Sequence, residues 1–433
     1  MNILLFLIIL LAYIVFIGIM NEKIFHLQSD IALIFFSLVF SLILLVIRQF
    51  MPVDALILFT DRMGKFGFEE YLMDGVLCFM LFAGASKVNM SKFRQNLKPI
   101  CLLALLTTLI SSFLYGILFY AIAVLFSLPM DIWMCILLGC VVSPTDPIAA
   151  TGILNKIGLS KNVCSVIENE SLFNDGTGVT LFIFVRSIII HSKDNNFALL
   201  MFKEIVGAIA VALIISWILF RLLKLTRDPV KYILISLLDV SAVYMICEHL
   251  GFSGVIASVV CGMFFSYSMN KIERSVIVVD PHNYYGDFWE IIENILNSVL
   301  FVMIGLLALD INISRYAPIV IPVSIMILIL SRAIGVFISS ILTKNDIPGN
   351  YSLKEFVILM TWSALKGGLS LALAFGTAEY LDNDVYNIFI NVTYVTIFFT
   401  VLVQGLTVRR VYFALEKHKA DRLKILREQG KGR

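Results

Sequence analysis

The chain has 433 residues, of which 60% are hydrophobic and 15% are charged, and its formal net charge at pH 7 is +2. Since roughly a quarter of the residues of an average soluble domain are charged, this composition excludes a chain folded wholly in water and indicates a membrane protein. The seven cysteines lie in apolar stretches without the close pairing of a zinc or redox motif, so we interpret them as small core side chains.

Apolar segments of about 20 residues, the length that crosses a bilayer core, recur along the whole chain. Charged residues, Gly and Pro separate thirteen of them. The first lacks the basic start and cleavage site of a removable signal peptide, so we count it as a span. The predicted spans run approximately over residues 1–20, 30–47, 69–85, 99–126, 131–155, 162–190, 199–222, 231–248, 251–269, 287–309, 316–341, 353–380 and 384–413. The sequence therefore predicts an all-α polytopic membrane protein.

Lys and Arg are distributed unevenly over the segments between the spans. If the C-terminus is cytoplasmic, the cytoplasmic segments hold 24 of the 33 basic residues and the outer segments hold 7. This follows the positive-inside rule, so we expect a multi-pass protein of the inner or plasma membrane with its N-terminus outside. The basic tail from Arg409 favours contact with anionic lipid, and a solvated tail is the alternative.

Ionisable side chains inside spans are costly unless they are paired or hydrated, so they are functional candidates by default. Their densest cluster lies in spans five and six. The ionisable residues at depth are Asp146, Glu168, Glu170, Asp175, Asp239, Glu290, Glu293, Arg332 and Lys366.

Two prolines interrupt span five, in the run Ser143-Pro-Thr-Asp-Pro147. Because proline lacks a backbone donor, the helix must break there. A break at membrane depth is tolerated where it lines a cavity or packs in protein, and its freed carbonyls suit ions. Thr145 and Asp146 therefore lie at a predicted polar site. The alternative is a proline kink in which both side chains only cap the second half-helix.

Span six carries a polar cluster in an otherwise apolar segment. Ser171 lies one helical turn before Asp175, and Asn174 adjoins both, so these three side chains share one face of the helix. A re-entrant or surface loop misread as a span is the alternative.

Two basic residues at depth have predicted structural roles. Glu170 points away from Asp175 and needs a basic partner, for which Arg332 and Lys366 are the two candidates. Lys366 also begins a second break, Lys366-Gly-Gly368, in span twelve. If spans one to six and eight to thirteen are repeats, span five pairs with span twelve, and the repeats are inverted because they start on opposite sides. This predicts two inverted six-helix repeats whose broken helices cross near the midplane.

A third polar group lies on span ten. Glu290, Asn294 and Asn297 are spaced at offsets of four and seven, so they form one helical stripe. They line a funnel that leads ions to the site, or they pack polar faces at a domain boundary.

Three motifs stand out in the sequence. They are Ser143-Pro-Thr-Asp-Pro147, Glu170-Ser-Leu-Phe-Asn-Asp175-Gly, and Phe288-Trp-Glu290 leading to Asn297-Ser-Val-Leu-Phe-Val-Met-Ile-Gly305. With these motifs the sequence resembles the monovalent cation/proton antiporters, in the branch of the NhaP-type exchangers and the animal sodium/proton exchangers. The likeness covers essentially all thirteen spans, and the second motif is the specific one.

The resemblance implies that Asp175 binds the transported ion and that Glu170 pairs with Arg332. The position of Lys366 is commonly arginine in the family, and its role as the charge at the helix break is carried over from there. The implied sodium ligands are Asp175, Asp146, Thr145 and Ser171, with Asn174 beside them.

The resemblance also implies a homodimer. Interface helices would occupy residues 1–96, with linking and interface helices in 193–312. The core that moves would comprise residues 97–192 and 313–413, followed by a basic cytoplasmic tail in 414–433.

The expected function is secondary active sodium (or lithium)/proton antiport that serves pH homeostasis. A cation and a proton would compete for Asp175, and the Asn-Asp pair at residues 174 and 175 marks the electroneutral branch of the family. A potassium/proton antiporter is the alternative, since the same oxygen ligands suit K⁺ in a wider cavity. An ion channel is less favoured, because no span carries the repeated arginines of a voltage sensor.

We expect no enzymatic activity, since none of the five histidines forms a His-Glu-x-x-His motif. Neither a cofactor nor a nucleic-acid partner is expected.

Overall fold

The computed structural model describes residues 3–50, 71–146, 158–190, 197–226, 228–273, 281–308 and 312–428. All regular secondary structure in these ranges is helical, which confirms the predicted all-α class. Hydrocarbon offers backbone groups no hydrogen-bond partner, so a helix, which pairs its own N–H and C=O groups, is the structure expected there. Within the described residues, 8 helices are long and apolar enough to cross a membrane, and shorter apolar helices accompany them.

The helices of the described residues are numbered here in chain order. They are α1 (Ile3–Met20), α2 (Ser29–Phe50), α3 (Leu77–Ser86), α4 (Met90–Gln95), α5 (Leu97–Leu125), α6 (Ile132–Val142), α7 (Lys161–Ile189), α8 (Phe197–Leu223), α9 (Pro229–His249), α10 (Gly254–Glu273), α11 (Pro281–Leu307), α12 (Ala317–Leu342), α13 (Leu353–Trp362), α14 (Gly368–Phe375), α15 (Asn383–Phe398) and α16 (Gly405–Glu428). A π-helical turn, Phe399–Gln404, joins α15 to α16.

The predicted breaks are present in the structure. Span five is helical as far as Val142 and then irregular over residues 143–146, while its second half lies outside the described residues. Span twelve consists of two half-helices, α13 and α14. Span six is the continuous helix α7, so the alternative of a misread loop is wrong.

The chain divides into two compact units, and the first comprises Met1–Met90, Val179–Ile313 and Leu371–Ile390. Trp289 lies at the centre of its core, fully buried, with its ring centroid 4.5 Å from that of Phe82. The Trp289 indole N–H donates to Ser236 Oγ at 3.1 Å, so the polar end of the ring is also satisfied. Aromatic and polar contacts thus order the packing of α3, α9 and α11.

The second unit comprises Ser91–Gly178, Ser314–Ser370 and Asn391–Arg433. Its helices approach closely through small residues, as is common between helices in membranes. A Cβ atom added to Gly139 on α6 would lie 2.1 Å from the backbone oxygen of Ser112 on α5, so only glycine fits there. Thr107 on α5 hydrogen-bonds Ser339 on α12 at 2.8 Å. These contacts hold α5, α6 and α12 around the broken segments.

The last span extends into the tail as α16, and the tail packs on protein. Arg422 and His418 reach Glu355 in the first turn of α13, at 3.0 Å and 2.7 Å. Glu355 also forms a capping box with Ser352, which fixes the start of α13. A wholly solvated tail is therefore wrong for the residues as far as Arg422, while lipid contact stays a prediction.

Six of the seven cysteines are buried, as predicted for core side chains. The exception is Cys101, which is exposed on α5.

Candidate functional site

The broken segment after α6 contacts the break between α13 and α14. The backbone N–H of Asp146 donates to the backbone oxygen of Leu365 at 2.8 Å. The backbone oxygen of Ser143, which the break frees from the helical ladder, accepts a hydrogen bond from Lys366 Nζ at 2.7 Å. The two predicted breaks therefore meet, and each satisfies backbone groups of the other, as required where water is scarce.

Lys366 is held at both ends. Its side chain is buried, and its backbone N–H donates to Thr400 Oγ1, in the π-helical turn, at 3.1 Å. Lys366 is therefore held within the break between α13 and α14. Its role as the charge at the helix break stays a prediction.

Asn174 on α7 joins the two sides of the site. Its Oδ1 accepts from the backbone N–H of Thr145 at 3.1 Å, and its Nδ2 donates to Thr145 Oγ1 at 2.6 Å. Ser171, one turn earlier on the same face, hydrogen-bonds Thr145 Oγ1 at 2.9 Å. Since all three residues are buried, this network fixes the irregular segment against α7. The shared face predicted for Ser171 and Asn174 is present.

Glu170 pairs with Arg332 and not with Lys366. Both guanidinium Nη atoms donate to the carboxylate, at 2.9 Å and 3.1 Å, in a bidentate arrangement. Both side chains are buried. Glu170 Oε1 also accepts from Asn174 Nδ2 at 2.9 Å, so the ion pair is tied directly to the network at Thr145.

Asp146 and Asp175 differ from the residues around them. Both are partly exposed, whereas Thr145, Ser171 and Asn174 are buried. The side chains of Asp146 and Lys366 lie close enough to Asp175 to interact with its carboxylate electrostatically. Two accessible carboxylates therefore stand beside buried hydroxyl groups, and these hard oxygen atoms suit a small alkali cation.

A model of the transmembrane sodium/hydrogen exchanger family matches residues 6–414 of the chain. The chain belongs to this family.

The chain is similar to several antiporters. It is 29% identical over 421 residues to the Na⁺/H⁺ antiporter NhaP of Pseudomonas aeruginosa, covering 93% of this chain and 95% of that one. It is 28% identical over 350 residues to NhaH of Halobacillus aidingensis, covering 79% and 83%. The solved structure of the sodium proton antiporter MjNhaP1 of Methanocaldococcus jannaschii at pH 8 aligns with a TM-score of 0.74 at 19% identity, covering 96% and 99%. The chain is thus a multi-pass membrane protein with the fold of this antiporter.

The predicted funnel residues do not share one environment. Glu290 and Asn294 on α11 are exposed, while Asn297 is buried and its amide atoms have no hydrogen-bond partner among the described residues. Glu293, on the buried side of the same helix, pairs with Lys87 at 2.5 Å. A funnel at this stripe stays a prediction.

Sequence reasoning missed the polar residues that surround the breaks. Thr400 binds the backbone of Lys366, and Ser112 on α5 donates to Ser143 Oγ at 2.8 Å. Thr361 and Gln404 lie beside Arg332 and Lys366. Gln404 could have been singled out from the sequence, because an amide within an apolar span is costly unless it is paired. Serine and threonine could not, because their hydroxyl groups can hydrogen-bond to backbone carbonyls of their own helix.

Proposed function

We propose that this protein carries out sodium/proton antiport, in which Na⁺ and H⁺ compete for Asp175. The observation that carries the proposal is the pair of partly exposed carboxylates, Asp146 and Asp175, beside the buried network of Thr145, Ser171 and Asn174. Membership of the sodium/hydrogen exchanger family supports the ion and its counter-ion. The relative in Pseudomonas aeruginosa is named as a Na⁺/H⁺ antiporter, which supports the same two ions.

The ligand set supports sodium. Carboxylate and hydroxyl oxygens are hard ligands that suit alkali cations and offer nothing to a soft metal. In the proposal, Asp175 and Asp146 neutralise the ion, and Thr145 and Ser171 contribute hydroxyl oxygens. Asn174 is a positioning residue, because both ends of its amide already bind Thr145 and Glu170.

The charges around the site support a one-for-one exchange. Glu170 and Arg332 neutralise each other. In the proposal, one Na⁺ or one H⁺ occupies Asp175 at a time, so one ion crosses in each direction per cycle. An unneutralised carboxylate is costly to carry through hydrocarbon, so the empty site stays in place and the exchange is coupled.

The rest of the assignment follows the family. In the proposal, a core domain moves to give alternating access, two copies form a homodimer, and the protein lies in the inner or plasma membrane. The N-terminus is outside, the C-terminus is cytoplasmic, and the exchange serves pH homeostasis. The protein is not an enzyme and requires no cofactor.

The proposal is tested by reconstituting the purified protein in liposomes that contain a pH-sensitive dye. A sodium gradient should drive proton flux in the native protein, and Asp175→Asn should abolish it, because an amide binds neither a proton nor Na⁺ strongly at neutral pH. Comparing the proton flux driven by sodium, lithium and potassium gradients identifies the transported cation.

The matched control is Asp346→Asn, which removes a carboxylate that pairs with Lys98 at the exposed surface of the same unit. It should transport normally. Sodium-driven proton flux that persists in a folded Asp175→Asn protein would contradict the proposal, and flux driven by potassium alone would redirect it to potassium/proton exchange.

A further inference from the structure

A small polar cavity lies within the second unit, beside the break between α13 and α14. Arg332 on α12, Thr361 on α13, Lys366 in the break and Gln404 in the π-helical turn contribute to its lining, together with apolar residues such as Leu328. Polar side chains from four segments therefore converge on one buried place. π-helical turns like the one that carries Gln404 occur often at functional sites.

Three residues that line this cavity each have a buried polar atom without a hydrogen-bond partner among the described residues. The atoms are Arg332 Nε, Thr361 Oγ1 and Gln404 Oε1. All three side chains are buried, with exposed fractions of 4%, 6% and 3%. Since both Nη atoms of Arg332 are bound by Glu170, its Nε–H is the donor that remains. A buried polar atom without a partner is costly, so three together indicate a ligand.

The size of the cavity identifies the ligand. The centre of a water-sized molecule can occupy about 10 Å³ there. By this measure a single buried water needs roughly 10–15 Å³ and two to four polar partners. The space therefore fits one water molecule.

The chemistry of the lining agrees with water. Arg332 Nε–H only donates, Gln404 Oε1 accepts, and the Thr361 hydroxyl does either. A ligand must therefore both accept and donate, which water does and a halide ion does not. A cation is excluded by the charges of Arg332 and Lys366.

We propose that this cavity binds one ordered water molecule, which accepts from Arg332 Nε–H, donates to Gln404 Oε1 and hydrogen-bonds the Thr361 hydroxyl. Thr361 and Gln404 are then positioning residues for the ion site. The connection runs from the water through Arg332 to the carboxylate of Glu170, from Glu170 to Asn174, and from Asn174 to Thr145. Each step is a direct hydrogen bond between buried groups.

The water completes the coordination of the guanidinium group. The bidentate pair with Glu170 fixes one edge of Arg332, and the water fixes the Nε–H. Without the water, the guanidinium plane is free to tilt, and Glu170 then holds Asn174 less firmly. Ion binding weakens as a result, although no ligand of the ion has been changed.

The first test is an experimental structure of the full-length protein at a resolution that resolves ordered water. The expected result is one density peak within hydrogen-bond distance of Arg332 Nε, Thr361 Oγ1 and the Gln404 amide. A structure at that resolution with no peak, or one in which Arg332 Nε donates directly to a protein group, overturns the proposal.

The second test is a double-mutant cycle on thermal stability, with Thr361→Val and Gln404→Met, which remove a polar partner and keep the volume. Each single variant should lower the melting temperature. If both partners hold the same water, the double variant should melt close to the less stable single variant. Additive shifts overturn the proposal.

Two further variants distinguish loss of the water from a general loss of stability. Thr361→Ser keeps the hydroxyl group and should melt at the native temperature. Thr393→Val removes another buried hydroxyl without a partner among the described residues, and it is the matched control because Thr393 does not line the cavity. Its effect should add to that of Gln404→Met. If Thr393→Val couples to Gln404→Met as Thr361→Val does, the water does not explain the coupling.

The link to ion binding rests on the proposed function and is read from transport. Thr361→Val and Gln404→Met should raise the KM for sodium by roughly two- to tenfold, the size of one buried hydrogen bond, with little change in kcat. A purely structural role would lower the melting temperature without moving KM. The stability cycle requires no transport, so failure of the antiport assignment at Asp175 and failure of the water site are separately visible.

Discussion

Asn174 shows why the polar face of α7 needs an amide. Its Nδ2 donates to Glu170 and to Thr145 Oγ1, and its Oδ1 accepts from the Thr145 backbone. A carboxylate accepts hydrogen bonds but does not donate them when ionised, so only an amide makes all three contacts. Asp175, the next residue, takes no part in these three contacts and is partly exposed.

Gly178 gives a test of the site at the residue scale. A Cβ atom at this position would lie 2.4 Å from Cγ of Pro144, a ring atom that cannot rotate away. We expect Gly178→Ala to push the broken segment off α7 and to raise the KM for sodium, because Thr145 moves with Pro144. Overpacking of this kind costs typically 1–3 kcal/mol, so the protein should still fold. Sodium-dependent proton flux in liposomes measures the effect.

The matched control is Gly18→Ala on α1. No atom lies within 4 Å of a Cβ added to Gly18, so this variant should transport like the native protein. Equal KM values for Gly178→Ala and Gly18→Ala would show that the contact with Pro144 does not position the site.

At the scale of elements, α13 connects the tail to the helix break. Its first turn holds Glu355, which binds His418 and Arg422 of α16. Its last turn leads into the segment whose Leu365 carbonyl accepts from Asp146. The ten-residue helix α13 therefore lies between the docked tail and the proposed ion site.

The docking of the tail is testable by limited proteolysis. Glu355→Gln removes the charge that holds Arg422, so the end of α16 should detach and trypsin should cut the tail several-fold faster than in the native protein. The reason is that a protease needs a locally unfolded chain, and fewer contacts lower the free energy of local opening. Gel electrophoresis of timed digests measures the rate.

Asp421→Asn is the control for this digestion. Asp421 lies on the exposed side of α16, so its loss should leave the rate unchanged. If the Glu355→Gln tail is cut no faster than the Asp421→Asn tail, the ion pairs do not anchor α16.

At the scale of the whole molecule, the proposed one-for-one exchange predicts how transport responds to voltage. In that proposal, Na⁺ and H⁺ each carry one positive charge and cross in opposite directions, so a complete cycle would move no net charge. We expect the exchange rate in liposomes to be the same with and without a membrane potential set by a potassium gradient and valinomycin.

This comparison is informative because moving one charge through 100 mV changes the free energy by about 2.3 kcal/mol. An exchange with unequal charges would change its rate visibly under such a potential. A rate that follows the potential would contradict the one-for-one exchange, while leaving the position of the ion site open to the test at Asp175.

Much of the fold was predictable because hydrocarbon restricts the options for the backbone. Apolar runs of bilayer length must be helical, so the all-α class followed from the sequence. The breaks at Pro144 and at Gly367 also followed, since proline removes a donor and glycine weakens a helix. The helical spacing of Ser171, Asn174 and Asp175 placed these residues on one face.

The partners across helices were not predictable. Spacing along α7 predicts that Glu170 needs a basic partner, but the two candidates, Arg332 and Lys366, lie 162 and 196 positions away in the sequence. Only tertiary packing assigns Arg332 to the pair. The same holds for Leu365 with Asp146, for Glu355 with the tail, and for the cavity at Gln404. The sequence by itself determined which residues are costly to bury, because that cost is local. The structure decided which residue offsets each cost, because long-range geometry is set by how the helices pack.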